Sequence, residues 1–233
     1  MTDAIPSLTR VQMVEVDRLM VEEAGITLIQ MMENAGRSLA DLAIDRYRPS
    51  SVTVLAGSGG NGGGALVAAR HLANRGVTTR ICLTRAVRDL RGVVRRQYRA
   101  LALTATETIA GPTQSDLTID GIIGYSLQGS PRGRAARLIE WATGVEAPIL
   151  SLDTPSGVDV TTGQIGDPAI RADATMTLAL PKSGLVGHPN VGCHYLADIS
   201  VPPALYDRVG ISVRADMFAT GLVREVPAPV GTE

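Results

Sequence analysis

The 233-residue sequence has little cysteine, no long apolar run and no excess of basic residues. Its two cysteines, Cys82 and Cys193, lie far apart and match neither a disulfide framework nor the spacing of a zinc site. No segment reaches the roughly 18 apolar residues that a membrane-spanning helix needs, so we expect no membrane association. The first ten residues lack the basic and apolar regions of a secretory signal. These absences favour a cytoplasmic location, where cysteines stay reduced.

The charges nearly balance, with 22 Lys and Arg against 23 Asp and Glu. A dedicated nucleic-acid-binding protein usually carries a basic excess, so we expect no nucleic-acid partner. Hydrophobic residues make up 45% of the chain, which is enough for a folded core and excludes disorder throughout. Arginine supplies nearly all of the positive charge, because Lys182 is the single lysine.

The order of apolar segments predicts the fold. Two helices come first, and each follows a capping-box pattern, Thr9 with Gln12 and Thr27 with Gln30. Strand-like and helical segments then alternate, which predicts an α/β fold: a Rossmann-like three-layer α/β/α sandwich with a mainly parallel central sheet. The predicted strands are 52–56, 77–83, 117–123, 148–152, 174–180 and 195–200, and the predicted helices between them are 65–72, 89–103 and 131–144. We expect one domain over residues 1–215 and an irregular tail over 216–233.

A run of glycines, Gly57–Gly64, follows the first predicted strand and is broken only by Ser58 and Asn61. Ligands of parallel α/β sheets bind beyond the carboxyl ends of the strands, and a glycine turn before a helix suits an anion. No Gly-Lys-Ser/Thr follows, so the run is not a Walker lysine loop. The alternative is a flexible strand–helix connection. Asn61 is either an oxygen ligand for a cation or substrate, or a residue tolerated for its backbone conformation.

Other candidate residues lie at the ends of later predicted strands. Asp120 lies within an apolar run, where a carboxylate needs a partner or a metal. Asp153 follows the fourth strand and is our candidate for acid/base chemistry, the alternative being a turn cap. Lys182 follows the fifth strand, and an amine where the chain otherwise uses arginine suggests a task that arginine performs badly, although one lysine also survives by chance. The loop 124–130 is either a second phosphate-facing turn or a surface connection.

Five stretches in this order resemble the NAD(P)H-hydrate epimerases, the YjeF N-terminal domain family. They are residues 32–36, the glycine run through residue 70, and residues 120–124, 153–157 and 181–184. The resemblance extends from Met13 to about Val209. It implies a Rossmann-like sandwich that is often a homodimer. It also implies that the protein interconverts the C6 epimers of hydrated NADH or NADPH, from which a separate dehydratase restores the cofactor.

The resemblance also implies roles for individual residues. Asn61, Asp120 and Ser156 would hold a potassium ion. Asp153 would lie at the hydrated nicotinamide ring with Lys182 beside it, and these two would be the catalytic residues. The residues around the dinucleotide-like small-molecule substrate would be Asp153 and two loops, which comprise Gly60, Asn61, Gly62, Gly63, Gly64, Gly124, Tyr125, Ser126, Leu127, Gln128, Gly129 and Ser130.

One loop departs from the family pattern. The family reads Asn-Asn-Gly-Gly-Asp-Gly where residues 60–65 read Gly-Asn-Gly-Gly-Gly-Ala, so a hydrogen-bonding carboxylate is missing. Two enzymatic functions follow: an epimerase of hydrated NAD(P)H with Asp153 as acid/base, or a diverged isomerase, cyclase or dehydrating enzyme. The second would act on another small hydroxylated or hemiaminal-type substrate, for example in specialised metabolism. A non-enzymatic scaffold is disfavoured, because it does not need clustered buried charge.

Overall fold

A computed structural model of the protein describes residues 5–227. Within this range eight strands form one sheet in the order β3-β2-β1-β4-β5-β6-β7-β8. They are β1 (Ser51–Ala56), β2 (Thr78–Leu83), β3 (Glu107–Ile109), β4 (Leu117–Gly121), β5 (Ile149–Leu152), β6 (Ala174–Leu178), β7 (Cys193–Ala197) and β8 (Val223–Glu225). Every neighbouring pair is parallel except β7 and β8. The predicted α/β fold with a mainly parallel sheet is therefore confirmed.

Helices cover both faces of the sheet. They are α1 (Arg10–Glu22), α2 (Leu28–Tyr47), α3 (Gly60–Asn74), α4 (Gly92–Arg99), α5 (Gly133–Thr143) and α6 (Pro203–Arg208). Successive side chains of β1 point to opposite faces: Val54 packs in the core with α2 and α3, whereas Leu55 packs in the core with α5. No helix within residues 5–227 is long and apolar enough to cross a membrane.

The first two helices begin where the sequence predicts. Thr9 and Thr27 accept a hydrogen bond from the backbone of Gln12 and Gln30, and each glutamine side chain accepts one in return. α2 packs closely on α3 at Gly36, where an added Cβ would lie 2.4 Å from the Cβ of Val67.

Several predicted boundaries are wrong. The helix predicted over 65–72 begins at Gly60, so most of the glycine run is helical. The helix predicted over 89–103 is the shorter α4, preceded by a 3₁₀ turn over Val87–Asp89. β3 was not predicted, and the tail expected to be irregular contains β8, which pairs with β7. The end of that tail, 228–233, lies outside the described residues, and the domain boundary at residue 215 stays a prediction.

Two neighbouring strands end in the same tight turn. After β5 the backbone N–H of Thr154 donates to the carbonyl of Leu152 at 2.8 Å, and the residue between them, Asp153, has φ +65°. After β6 the N–H of Leu180 donates to the carbonyl of Leu178 at 2.8 Å, with Ala179 at φ +65°. These are γ-turns of the rare, strained hand, and such strain tends to occur at functional sites.

Candidate active site

A cavity of about 830 Å³ opens at the carboxyl ends of the strands, where ligands bind in this kind of sheet. Seven of the site residues predicted from the sequence line it: Gly60, Asn61, Gly64, Gly124, Tyr125, Ser126 and Asp153. The remaining predicted residues of the two loops, Gly62, Gly63, Leu127, Gln128, Gly129 and Ser130, are not among those that line the cavity. Met13, Met31 and Met32 from α1 and α2 provide an apolar wall. The site therefore combines strand ends with the first two helices.

Asp153 and Lys182, the two predicted catalytic residues, form an ion pair. Lys182 has 0% of its surface exposed, and its ammonium donates to Oδ1 of Asp153, to the carbonyl of Leu178 at 2.8 Å and to Oγ1 of Thr177 at 3.3 Å. All three ammonium hydrogens thus have an acceptor. Asp153 lines the cavity whereas Lys182 lies behind it.

The segment before α1 seals Lys182 from solvent. Leu8 forms a short parallel bridge with Lys182: its N–H donates to the carbonyl of Pro181 at 2.8 Å, and its carbonyl accepts from the N–H of Ser183 at 2.9 Å. Leu8 is itself completely buried. The ammonium therefore has no exposed surface and is connected to the cavity through Asp153.

A second carboxylate, Asp17 of α1, also lines the cavity. The hydroxyl of Tyr125 donates to its Oδ2 at 2.5 Å. Burial raises the pKa of Asp17, and this hydrogen bond opposes the rise. Sequence reasoning missed Asp17, because a single acid in an amphipathic helix usually faces solvent. The available signal was its spacing four residues after Met13, which places it on the buried side of α1.

Asp120 is buried beside Ser156, as the resemblance implies, but it does not line the cavity. Its carboxylate accepts hydrogen bonds from the hydroxyl of Ser151 at 2.9 Å, the N–H of Ser156 at 2.8 Å, the hydroxyl of Ser156 at 2.6 Å and the N–H of Ile122 at 3.2 Å. Burial raises the pKa of Asp120, and the hydrogen bonds from Ser156 oppose the rise most strongly. The chain itself thus supplies the partners that a buried carboxylate needs.

Asn61 connects the start of α3 to the end of β5, because its amide Nδ2 donates to the carbonyl of Leu152 at 2.7 Å. Its Oδ1 points toward Gly124, where an added Cβ would lie 3.1 Å away. The neighbouring Ser156 hydroxyl accepts from the N–H of Ile123 at 2.9 Å and lies 3.2 Å from its carbonyl oxygen. The Asn61 amide oxygen and the Ser156 hydroxyl therefore lie beside the Ile123–Gly124 backbone with its carbonyl oxygen, and neutral oxygens are the donors that coordinate potassium in proteins.

Within residues 5–227, no group of three or more His, Cys, Asp and Glu side chains could hold a metal ion. A divalent or transition-metal centre built from such side chains is therefore not part of the described site. The oxygen donors around Ile123 fit a weakly held monovalent cation better, because Asp120 already accepts four hydrogen bonds from the chain.

The glycines after β1 serve two purposes. An added Cβ would lie 1.9 Å from the carbonyl oxygen of Gly57 at Gly62, 2.7 Å from the sulfur of Met32 at Gly63 and 2.8 Å from Leu152 at Gly64. These three glycines allow close packing, whereas an added Cβ at Gly59 or Gly60 meets nothing within 4 Å. Gly59 is the N-cap of α3 and gives it no side-chain cap, so Gly59 and Gly60 present backbone N–H groups at the cavity.

The fold and the cavity define a Rossmann-like protein with a cavity at the carboxyl ends of its strands. The chain belongs to the YjeF-related protein N-terminus family, which matches residues 28–184. It is similar to the NAD(P)H-hydrate epimerase of Dehalogenimonas lykanthroporepellens, with 44% identity over 231 residues that cover 95% of this chain and 93% of the relative. The NAD(P)H-hydrate epimerase of Truepera radiovictrix is 34% identical, with 80% of this chain and 86% of the relative covered.

A longer relative also matches the chain, and a solved structure shares its fold. The bifunctional NAD(P)H-hydrate repair enzyme Nnr of Hyperthermus butylicus is 38% identical over 81% of this chain, which spans only 37% of that relative. The crystal structure of the yeast protein ynu0 superposes with a TM-score of 0.81. The match covers 95% of this chain and 100% of the yeast chain at 24% identity, a likeness that shows the fold.

Proposed function

We propose that this protein is an isomerase that interconverts the C6 epimers of hydrated NADH or NADPH. The observation that carries the proposal is the ion-paired Asp153 in a cavity that also contains the raised-pKa Asp17. Relatives of similar length named NAD(P)H-hydrate epimerase support the same reaction. They do not favour the alternative of a diverged enzyme with another hydroxylated substrate.

The reaction needs one acid and one base near the same carbon. The substrate carries a hydroxyl on C6, beside the ring nitrogen. When the C6–O bond breaks, the oxygen keeps the electron pair, takes a proton and departs as water. The positive charge that remains is shared by C6 and the ring nitrogen. Water then adds to the other face and loses a proton, which gives the other epimer. Opening and reclosure of the ring is the alternative route to the same inversion.

The two cavity carboxylates suit these opposite roles. Asp17, whose pKa burial raises, is the candidate acid that protonates the leaving hydroxyl. Asp153, which is ion-paired with Lys182, is placed to stabilise the cation and to take the proton of the incoming water. Two carboxylates in different environments are typical of acid/base pairs in enzymes.

We further propose that Asn61 and Ser156, with Asp120 behind Ser156, hold the potassium ion that the family resemblance implies. The ion would supply positive charge near the substrate's phosphates. Replacing sodium by potassium should then raise the melting temperature of the intact protein. Asn61→Asp should change the size of this increase in melting temperature. An equal melting temperature in both salts would contradict the proposal.

A cytoplasmic homodimer is also proposed. One face of α1 carries three exposed valines, Val11, Val14 and Val21, at spacings of three and seven residues. A second copy of the chain would cover this apolar face. Sedimentation should give twice the chain mass, and Val14→Glu should give monomers. A wild-type monomer would refute the dimer.

The experiment that tests the epimerase proposal incubates the protein with an epimer-enriched sample of hydrated NADH or NADPH. Chromatography then follows the approach to equilibrium. The protein should accelerate it, and Asp153→Asn should remove nearly all of the acceleration. An intact, folded protein that leaves the spontaneous rate unchanged would refute the proposal.

A further inference from the structure

One part of the cavity is lined by arginines. Arg85 lies two residues beyond β2, and Arg132 and Arg134 lie at the start of α5. Arg134 reaches the same strand end, because its Nε donates to the carbonyl of Leu83 at 2.6 Å. The cavity's two lining carboxylates, Asp17 and Asp153, come from α1 and from the end of β5. The cavity is therefore basic at the end of β2 and acidic near β5.

The distance between these two parts suits a dinucleotide. In the sheet, β2 and β5 are separated by β1 and β4. Neighbouring strands lie about 4.8 Å apart, so the two strand ends are about 14 Å apart. α3 begins between them, at the end of β1, with the exposed backbone of Gly59 and Gly60. A dinucleotide lying across the strand ends would place its diphosphate there and its two halves at the outer strands.

The arginines at the end of β2 have charge that the protein does not neutralise. Arg134 uses its donors on the carbonyls of Leu83 and Ala110. Arg85 and Arg132 are exposed and make no ion pair or side-chain hydrogen bond with any residue of the described range 5–227. Like charges gathered without a carboxylate repel one another, and a bound anion would relieve that repulsion.

We propose that Arg85 and Arg132 bind the 2′-phosphate of the adenosine ribose, so that the protein prefers hydrated NADPH to hydrated NADH. In Rossmann-like sites the adenosine ribose lies at the end of the second strand, and an arginine there accommodates the 2′-phosphate. Guanidinium groups bind phosphate through paired, charge-assisted hydrogen bonds. This inference rests on the proposed function and names the form of the substrate.

The test compares the two hydrated cofactors as substrates. Wild type should have a higher kcat/KM for hydrated NADPH. Arg85→Gln and Arg132→Gln should each lower that value about ten- to a hundredfold, the range expected for a lost hydrogen bond to a charged group. The value for hydrated NADH should change less than about twofold. Arg137→Gln is the matched control, because Arg137 is an exposed arginine of α5 that does not line the cavity.

Equal losses for both substrates would assign the arginines to the diphosphate and overturn the proposal, as would no loss for either. Calorimetry measures binding without catalysis. Adenosine 2′,5′-bisphosphate should bind more tightly than adenosine 5′-monophosphate, and Arg85→Gln should remove this difference in affinity. Equal binding of the two nucleotides to wild type would overturn the subsite. Absence of epimerisation together with tighter binding of the bisphosphate would refute the proposed function but retain the phosphate site.

Discussion

The ammonium of Lys182, which has no exposed surface, donates to the carboxylate of Asp153 at the wall of the cavity. One member of the pair is inside the protein and the other lines the cavity. Removing either charge leaves the other buried without its partner. The pair therefore links the stability of the fold to the chemistry of the site.

Lys182→Met keeps the length of the side chain and removes its charge. We expect it to lower the free energy of unfolding by about 3–5 kcal/mol, as is typical when one partner of a buried ion pair is lost. The double variant Asp153→Asn/Lys182→Met should recover a large part of that loss while staying inactive. Urea denaturation measures both, and a double variant less stable than Lys182→Met alone would contradict the prediction.

Two glycines of α3 should respond in opposite ways to alanine. Gly62→Ala would push a methyl group against the backbone of Gly57, and we expect a loss of about 1–3 kcal/mol in the free energy of unfolding. Gly60→Ala meets no atom within 4 Å and should leave stability unchanged or raise it by up to about 1 kcal/mol. Its methyl group would enter the cavity, so substrate binding should weaken. Equal stabilities of the two variants would contradict this division.

The acid role of Asp17 predicts a defined pH profile. Because the protonated form acts, kcat/KM should fall as pH rises through the raised pKa of Asp17. The hydrogen bond from Tyr125 favours the ionised carboxylate, so Tyr125→Phe should raise the pKa of Asp17 further and move this fall to higher pH. Asp17→Asn should remove the fall altogether and lower the rate. A Tyr125→Phe profile that moves to lower pH would exclude the role.

The burial of His194 makes the free energy of unfolding depend on pH. Only 8% of its surface is exposed, and its Nε2 has no hydrogen-bond partner within the described residues. Burial, together with the positive charge of Lys182, lowers the pKa of His194 to about 4. The unfolded chain binds this proton below pH 6.5 and the folded protein does not, so stability falls between pH 6.5 and 4, by about 3 kcal/mol in total. His194→Phe should not show this component. A constant stability difference between wild type and variant over that range would contradict the assignment.

The sequence predicts the parts of the fold that local pattern determines. The capping boxes at Thr9 and Thr27 and the apolar strands β1 and β4 follow from side-chain chemistry within a few residues. The predicted start of α3 was wrong because glycine is a poor helix former. Here the packing of Gly62 against the backbone of Gly57, and of Gly64 against Leu152 of β5, outweighs that preference. β3 and β8 were missed because three-residue edge strands depend on their partners rather than on their own sequence.

The same limit applies to the site. Asp153 and Lys182 could be selected because each follows an apolar strand, and such strand ends converge in a parallel sheet. The spacing of Asp17 from Met13 places it on the buried side of α1, but only the packing of α1 over the cavity brings it to the strand ends. The sequence pattern did not single out Arg85 and Arg132, because their shared position depends on where α5 begins relative to β2.

The bridge between Leu8 and Lys182 joins residues that are 182 − 8 = 174 positions apart in the chain. Contacts of such long sequence separation form late, because a large loop must close before they contribute any stabilisation. A nascent chain that ends before Lys182 already contains Leu8 but lacks the amine that Leu8 covers. Asp153 would thus gain its buried partner charge only after most of the domain has been synthesised.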